Sequence, residues 1–172
     1  SISVFGLGYI GCVSAACLAQ AGYKVVGVDI NLEKVDLVNR GIPTIIEPGL
    51  DLLLQEGVDC GRISATLDVQ KAVAESEIMM ITVGTPSQSN GDLDLSHIYA
   101  VAEDIGKSLV NVQGHRVIAI RSTVKPNTCN KVSEIIERHS GKKIDVDFSV
   151  VANPEFLREG TAIQDYLNPP YI

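Results

Sequence analysis

The sequence predicts an α/β fold, a doubly wound, mostly parallel six-stranded sheet with helices on both faces, and three observations predict it. Short apolar, β-rich runs alternate with amphipathic stretches along the chain, the pattern of repeated βαβ units. The first run passes directly into Gly6-Leu7-Gly8-Tyr9-Ile10-Gly11 and then into a helical pattern, the context in which G-x-G-x-x-G carries information. The second run closes on an acid, Asp29, 18 residues after Gly11.

Residues 2–5 form the first strand, and the glycines open a helix over 9–21. A strand over 24–29 leads to a helix over 32–39, for which Asn31 is placed as N-cap. A short helix over 50–55 precedes a weaker strand near 62–66, whose apolar content is low, and a helix over 69–75. Residues 78–83, 117–120 and 148–152 are apolar on both faces and read as buried parallel strands. Helices over 95–108 and 128–139 separate them, with Pro126 placed to start the second. The longest polar stretch, 85–94, reads as a surface loop. Residues 1–172 thus form one Rossmann-type domain. Both ends read as cut: the chain starts at Ser1 inside a strand, with neither Met nor signal peptide, and stops at Asn168-Pro169-Pro170-Tyr171-Ile172 as if entering another segment.

A chain of 172 residues with 45% apolar and 20% charged residues has enough core to fold without staples. The net charge of −7 and the lack of a Lys/Arg cluster argue against nucleic acid, which needs a concentrated basic face. No apolar run approaches the roughly 20 residues that span a bilayer. Cys12, Cys17, Cys60 and Cys129 lack C-x-x-C spacing, so they read as reduced thiols in a cytoplasmic protein. His97, His115 and His139 are scattered and lack metal-ligand spacing; they read as surface residues.

The fingerprint implies a dinucleotide. Gly6 permits the tight turn, Gly8 lets the backbone approach a pyrophosphate, and Gly11 lets helix and sheet pack closely. The helix N-terminus then offers unpaired N–H groups and a positive dipole end. Asp29 is placed to accept the ribose hydroxyls and repel a 2′-phosphate, which favours NAD over NADP. Lys34, one turn into the next helix, reaches the ribose or is simply solvated.

Val83-Gly84-Thr85-Pro86 and Arg121-Ser122-Thr123-Val124 end two strands, where sheets of this type bind ligands. The first also reads as an ordinary Gly-Pro turn. Asn153-Pro154-Glu155-Phe156-Leu157-Arg158-Glu159-Gly160 follows the last strand and sets two carboxylates four residues apart, on one face if the segment is helical. A carboxylate beside a nicotinamide serves as a base or activates water; the alternative is a charged surface turn. Other chemistries drop out. No Tyr is followed four positions later by Lys, and Gly106-Lys107-Ser108 has Val101 where a P-loop needs its leading glycine.

Together F-G-L-G-Y-I-G, G-V-D at 27–29, E-P-G-L at 47–50, V-G-T-P, R-S-T-V and N-P-E-F-L-R-E-G resemble the nucleotide-sugar 6-dehydrogenase family, over the whole chain. The resemblance implies oxidation of a sugar C6 alcohol to a carboxylate with two NAD, through an aldehyde and a cysteine-bound thioester that water hydrolyses. By motif it implies that Tyr9, Ile10, Asp29, Lys34, Thr85 and Thr123 contact NAD, that Thr123 helps hold the water, that Glu155 is the general base, and that Glu159 touches substrate or cofactor. It also implies a homo-oligomer for the full-length enzyme.

None of the four cysteines matches the family's nucleophile, which is expected beyond residue 172 together with a central helix, the substrate domain and the catalytic lysine. The piece is thus expected to bind NAD without completing the reaction. P-T-I-I-E-P-G-L and N-G-D-L-D-L-S-H-I look more like the branch acting on GDP-mannose than the one acting on UDP-glucose. The 3-hydroxyacid and 6-phosphogluconate dehydrogenases would show Ser-Gly-Gly where R-S-T-V stands. A non-catalytic NAD-sensing module would need the fingerprint and Asp29 but not Glu155.

Overall fold

A computed structural model describes residues 1–89 and 91–169. Asn90, which opens the N-G-D-L-D-L-S-H-I stretch, and residues 170–172 of the terminal segment lie outside the described residues. The elements run β1 (Ile2–Phe5), α1 (Tyr9–Gln20), β2 (Val25–Val28), α2 (Leu32–Asn39), α3 (Leu50–Asp59), β3 (Ile63–Thr66), α4 (Val69–Glu75), β4 (Ile78–Ile81), α5 (Ser96–Leu109), β5 (Arg116–Ile120), α6 (Thr128–Ser140), β6 (Phe148–Ala152) and α7 (Ala162–Leu167).

The strands form one sheet in the order β3-β2-β1-β4-β5-β6, and every neighbouring pair is parallel. This is the doubly wound order, in which the strand order switches sides between β1 and β4 and opens a crevice at their carboxyl ends. Alternation along the strands splits the core. Ile2 and Val4 of β1 join Val13, Ala16, Val25, Leu50 and Leu54 on one face, while Phe5 joins Met79, Ile81, Ile98, Ile105 and Ile136 on the other. A period of two along each strand and a helix layer on each side produce exactly two such cores.

Several expected boundaries shift. The third helix continues to Asp59 instead of stopping near 55. Gly57 does not break it, because the glycine serves packing: a Cβ there would lie 2.4 Å from Ile63 Cδ1. Pro126 does not start α6, since Asn127 intervenes in the left-handed conformation at φ 68°. Residues 153–158 are not helical, so no helix face carries Glu155 and Glu159 together. The helix α7 was not anticipated; with six residues it is too short to show a period.

Candidate functional site

A cleft of about 460 Å³ opens at the carboxyl ends of β1, β2 and β4. Gly6, Gly8, Asp29 and Lys34 line it, with Val83, Gly84 and His97 opposite. The three fingerprint glycines act differently. Gly6 sits at φ +101°, a conformation only glycine adopts without strain. At Gly11 a Cβ would fall 1.8 Å from the Gly6 carbonyl oxygen, so the turn folds tightly over the first turn of α1. At Gly8 a Cβ would meet nothing within 4 Å, so the space there belongs to whatever approaches the backbone. The first bond of α1 runs from Cys12 N–H to Gly8 O at 2.9 Å, and Gly8 gives no side-chain cap. The N–H groups of Tyr9, Ile10 and Gly11 therefore have no acceptor along the helix.

Thr82 secures the turn from β4. Its buried hydroxyl lies 2.9 Å from Phe5 O and 2.8 Å from Gly6 O. Asp29 secures it from β2: Oδ2 accepts Leu7 N–H at 2.7 Å and Oδ1 accepts Asn31 N–H at 2.9 Å. Lys34 Nζ stands 3.8 Å from Asp29 Oδ2. Lys34 is presented by α2, whose N-cap is Asn31 as expected, accepting from Glu33 and Lys34. Gly27 makes room beneath the turn, since a Cβ there would lie 2.7 Å from Leu7 Cδ2. Beside Asp29, the Ile30 side chain is fully exposed and Leu67 half so; both line the cleft, an apolar wall left open to solvent.

Thr85 and Thr123 do not line the cleft. They meet at its rim, Thr85 Oγ1 donating to Thr123 O at 3.3 Å, and Ser122 Oγ ties the two strand ends by donating to Val83 O at 2.6 Å. His97, read from sequence as a surface residue, is exposed but borders the cleft, its Nδ1 3.3 Å from Gly84 O.

The segment after β6 is held by side chains. Arg121 donates to Asn153 Oδ1 at 2.8 Å and lies over the Tyr166 ring at 5.1 Å. Glu155 Oε2 accepts Leu157 N–H at 2.5 Å. Arg158 meets Asp165 through Nη2 at 2.7 Å, Nε at 3.1 Å and its amide at 3.0 Å. The Arg158 guanidinium leads the effects that hold the Asp165 carboxyl well below the usual carboxylate range.

Tyr9 turns its side chain toward the segment after β6. Its side chain is not among those lining the cleft; its hydroxyl donates to Glu47 Oε2 at 2.6 Å. Glu47 is buried and also accepts Gly160 N–H and Ala162 N–H, each at 2.8 Å. Burial alone would raise the pKa of Glu47, but the hydrogen bonds from Tyr9, Gly160 and Ala162 outweigh it and hold the group below its ordinary value. Burial and the adjoining carboxylate push the Tyr9 phenol well up, with Glu159 adding to the effect. Sequence had marked E-P-G-L only as a family signature; partners 38, 113 and 115 residues away left no local signal.

All four cysteines are free, Cys12 and Cys17 buried, Cys129 partly so and Cys60 exposed. No cluster of metal-ligating side chains occurs among the described residues, nor any helix long and apolar enough to cross a membrane.

Residues 1–172 match the family described as UDP-glucose/GDP-mannose dehydrogenase family, NAD binding domain. The chain is 52% identical to GDP-mannose 6-dehydrogenase of Pseudomonas aeruginosa, covering 98% of this chain and 39% of that protein. It is 44% identical to UDP-glucose 6-dehydrogenase of Rhizobium meliloti, over 99% of this chain and 38% of the relative. Among solved structures it is similar to a ternary complex of GDP-mannose dehydrogenase from Pseudomonas aeruginosa, with a TM-score of 0.96 at 52% identity over 98% of this chain and 39% of that one. A UDP-glucose dehydrogenase from Pyrobaculum islandicum gives a TM-score of 0.91 at 38% identity, over 98% and 38% of the two chains. The chain thus spans about two fifths of the length of these relatives.

Proposed function

Because the chain belongs to the UDP-glucose/GDP-mannose dehydrogenase family and is its NAD-binding domain, we propose that it serves a two-step oxidation of a nucleotide-sugar C6 alcohol to a carboxylate, with GDP-mannose as substrate. The observation that carries the cofactor half is the cleft itself. Open space at Gly8, unpaired N–H groups on α1 and the Asp29 carboxylate fit a pyrophosphate and a ribose diol. Ile30 and Leu67 would cover the adenine, and Lys34 would reach the ribose from α2. Bound NAD supplies the hydride acceptor for each oxidation.

In this reading Tyr9 and Ile10 serve through their backbone N–H groups, and Thr85 and Thr123 sit where the nicotinamide end reaches the strand termini. Glu155 removes a proton from the water that releases the acid from a cysteine thioester, Thr123 holds that water, and Glu159 touches substrate or cofactor. The cysteine, a central helix and the substrate domain would come from sequence after residue 172, in a homo-oligomeric, cytoplasmic enzyme. The higher identity to GDP-mannose than to UDP-glucose enzymes supports the choice of sugar; kcat/KM for both sugars, measured on the full-length enzyme, tests it.

For the hydrolytic role the test is Glu155→Gln in the full-length enzyme. Loss of the base should slow turnover by about a hundredfold to ten-thousandfold, and a covalent sugar-nucleotide adduct should appear in the intact mass. Near-normal turnover without an adduct would remove Glu155 from this role and leave Glu159.

A further inference from the structure

We infer that Glu47 is a positioning residue, which fixes the segment carrying Glu155 and Glu159 against the first turn of α1; the inference rests on the function proposed for that segment. Residues 153–158 have no regular structure, so their path depends on side-chain tethers. Arg121 and Asp165 bind the segment to its own neighbourhood, β5 and α7. Glu47 binds it to a different part of the molecule. One oxygen takes Ala162 N–H; the other takes both Gly160 N–H and the Tyr9 hydroxyl.

Thr161, the N-cap of α7, gives no side-chain cap of its own because its hydroxyl turns to Asp165 at 3.1 Å. Glu47 supplies the missing acceptor from 115 residues away. A buried, ionised carboxylate with three donors has little freedom to shift, since losing any donor leaves charge uncompensated. Tyr9 directly follows Gly8, where the pyrophosphate is expected. The carboxylate therefore sets the distance between the cofactor turn and the Glu155 segment.

The test uses the full-length enzyme and Glu47→Gln, which keeps the shape but presents an NH₂ group toward a donor. Amide exchange at Gly160 and Ala162 should accelerate at least tenfold, and turnover at saturating substrates should fall at least tenfold. KM for NAD should stay within threefold, whereas general destabilisation would weaken NAD binding as well. If Glu47 acts through Glu155, Glu47→Gln should slow the Glu155→Gln enzyme less than threefold further. Unchanged exchange, turnover within twofold of wild type despite faster exchange, or fully multiplicative losses would each overturn the inference. Normal turnover in Glu155→Gln alone would instead strike the role proposed for Glu155; Glu159→Gln then takes its place in the cycle, and the Glu47 result is read as before. If Glu47→Gln does not fold, Glu47→Asp, which keeps the charge but withdraws it, is read by the same measures.

Discussion

The amide of Leu7 donates to Asp29 Oδ2 at 2.7 Å, so the turn after β1 and the acid after β2 are a single unit rather than two neighbouring features. An Asn at 29 would set an NH₂ group against either Leu7 N–H or Asn31 N–H. Hydrogen bonds to charged groups contribute about 1.5–3 kcal/mol. Asp29→Asn should therefore weaken NAD about tenfold to a hundredfold, and the unaltered domain should bind NADP more weakly than NAD. Calorimetry with both cofactors reads both effects; equal NADP binding would remove the ribose role from Asp29.

Two glycines three residues apart should fail in opposite ways. Gly11→Ala places a methyl 1.8 Å from Gly6 O, so the domain should lose several kcal/mol or not fold, as overpacking against backbone does. Gly8→Ala meets only open space at an ordinary φ of −85°. It should melt within a few degrees of wild type yet bind NAD at least tenfold more weakly. A Gly8→Ala domain that binds NAD normally would show that the pyrophosphate lies elsewhere.

Acid should weaken the segment after β6. Asp165 and Glu47 both have folded pKa values below their unfolded ones. Their stabilisation is present at neutral pH and is lost as pH falls through the unfolded values, about 3.9 and 4.3, toward the folded ones. Asp165→Asn should melt lower than wild type at pH 7, and the difference should narrow below about pH 4. Melting curves from pH 7 to pH 3 check this; a gap constant with pH would contradict it.

Thiol chemistry should follow exposure. Cys60 is exposed, whereas burial pushes the Cys17 thiol up to about 11 and raises Cys12 and Cys129 as well. Under native conditions Ellman's reagent should modify Cys60 first, with Cys12 and Cys17 reacting only on unfolding. Peptide mapping after brief labelling identifies the order, and early modification of Cys12 would overturn it.

The sheet was legible because parallel strands buried on both faces are nearly continuous apolar runs. Even the weak third strand is legible, one residue too long at its start and correct at its end. Asn31 and the glycine turn were legible because their chemistry is local: a cap reaches two or three residues, a turn only a few more. What escaped was long-range. Thr82 was one residue of a strand until its hydroxyl proved to hold Gly6 O, and His97 opened an ordinary helix until the fold set it against Gly84. The helix α7 escaped because its acceptor is Glu47 and not a residue beside it.

The strand order has a consequence for how the molecule is made. Every described residue lining the cofactor cleft lies between Phe5 and Asp104, and β1 to β4 form four contiguous strands of the six. Synthesis proceeds from the N-terminus at about 5–20 residues per second, so Glu155 leaves the ribosome several seconds after the last residue of the cleft. During that interval the Glu47 carboxylate waits without Gly160 and Ala162, and the nascent chain carries its nucleotide crevice ahead of the segment that holds Glu155. Cofactor captured then would act as a folding ligand, stabilising the four-stranded sheet before its last two strands arrive.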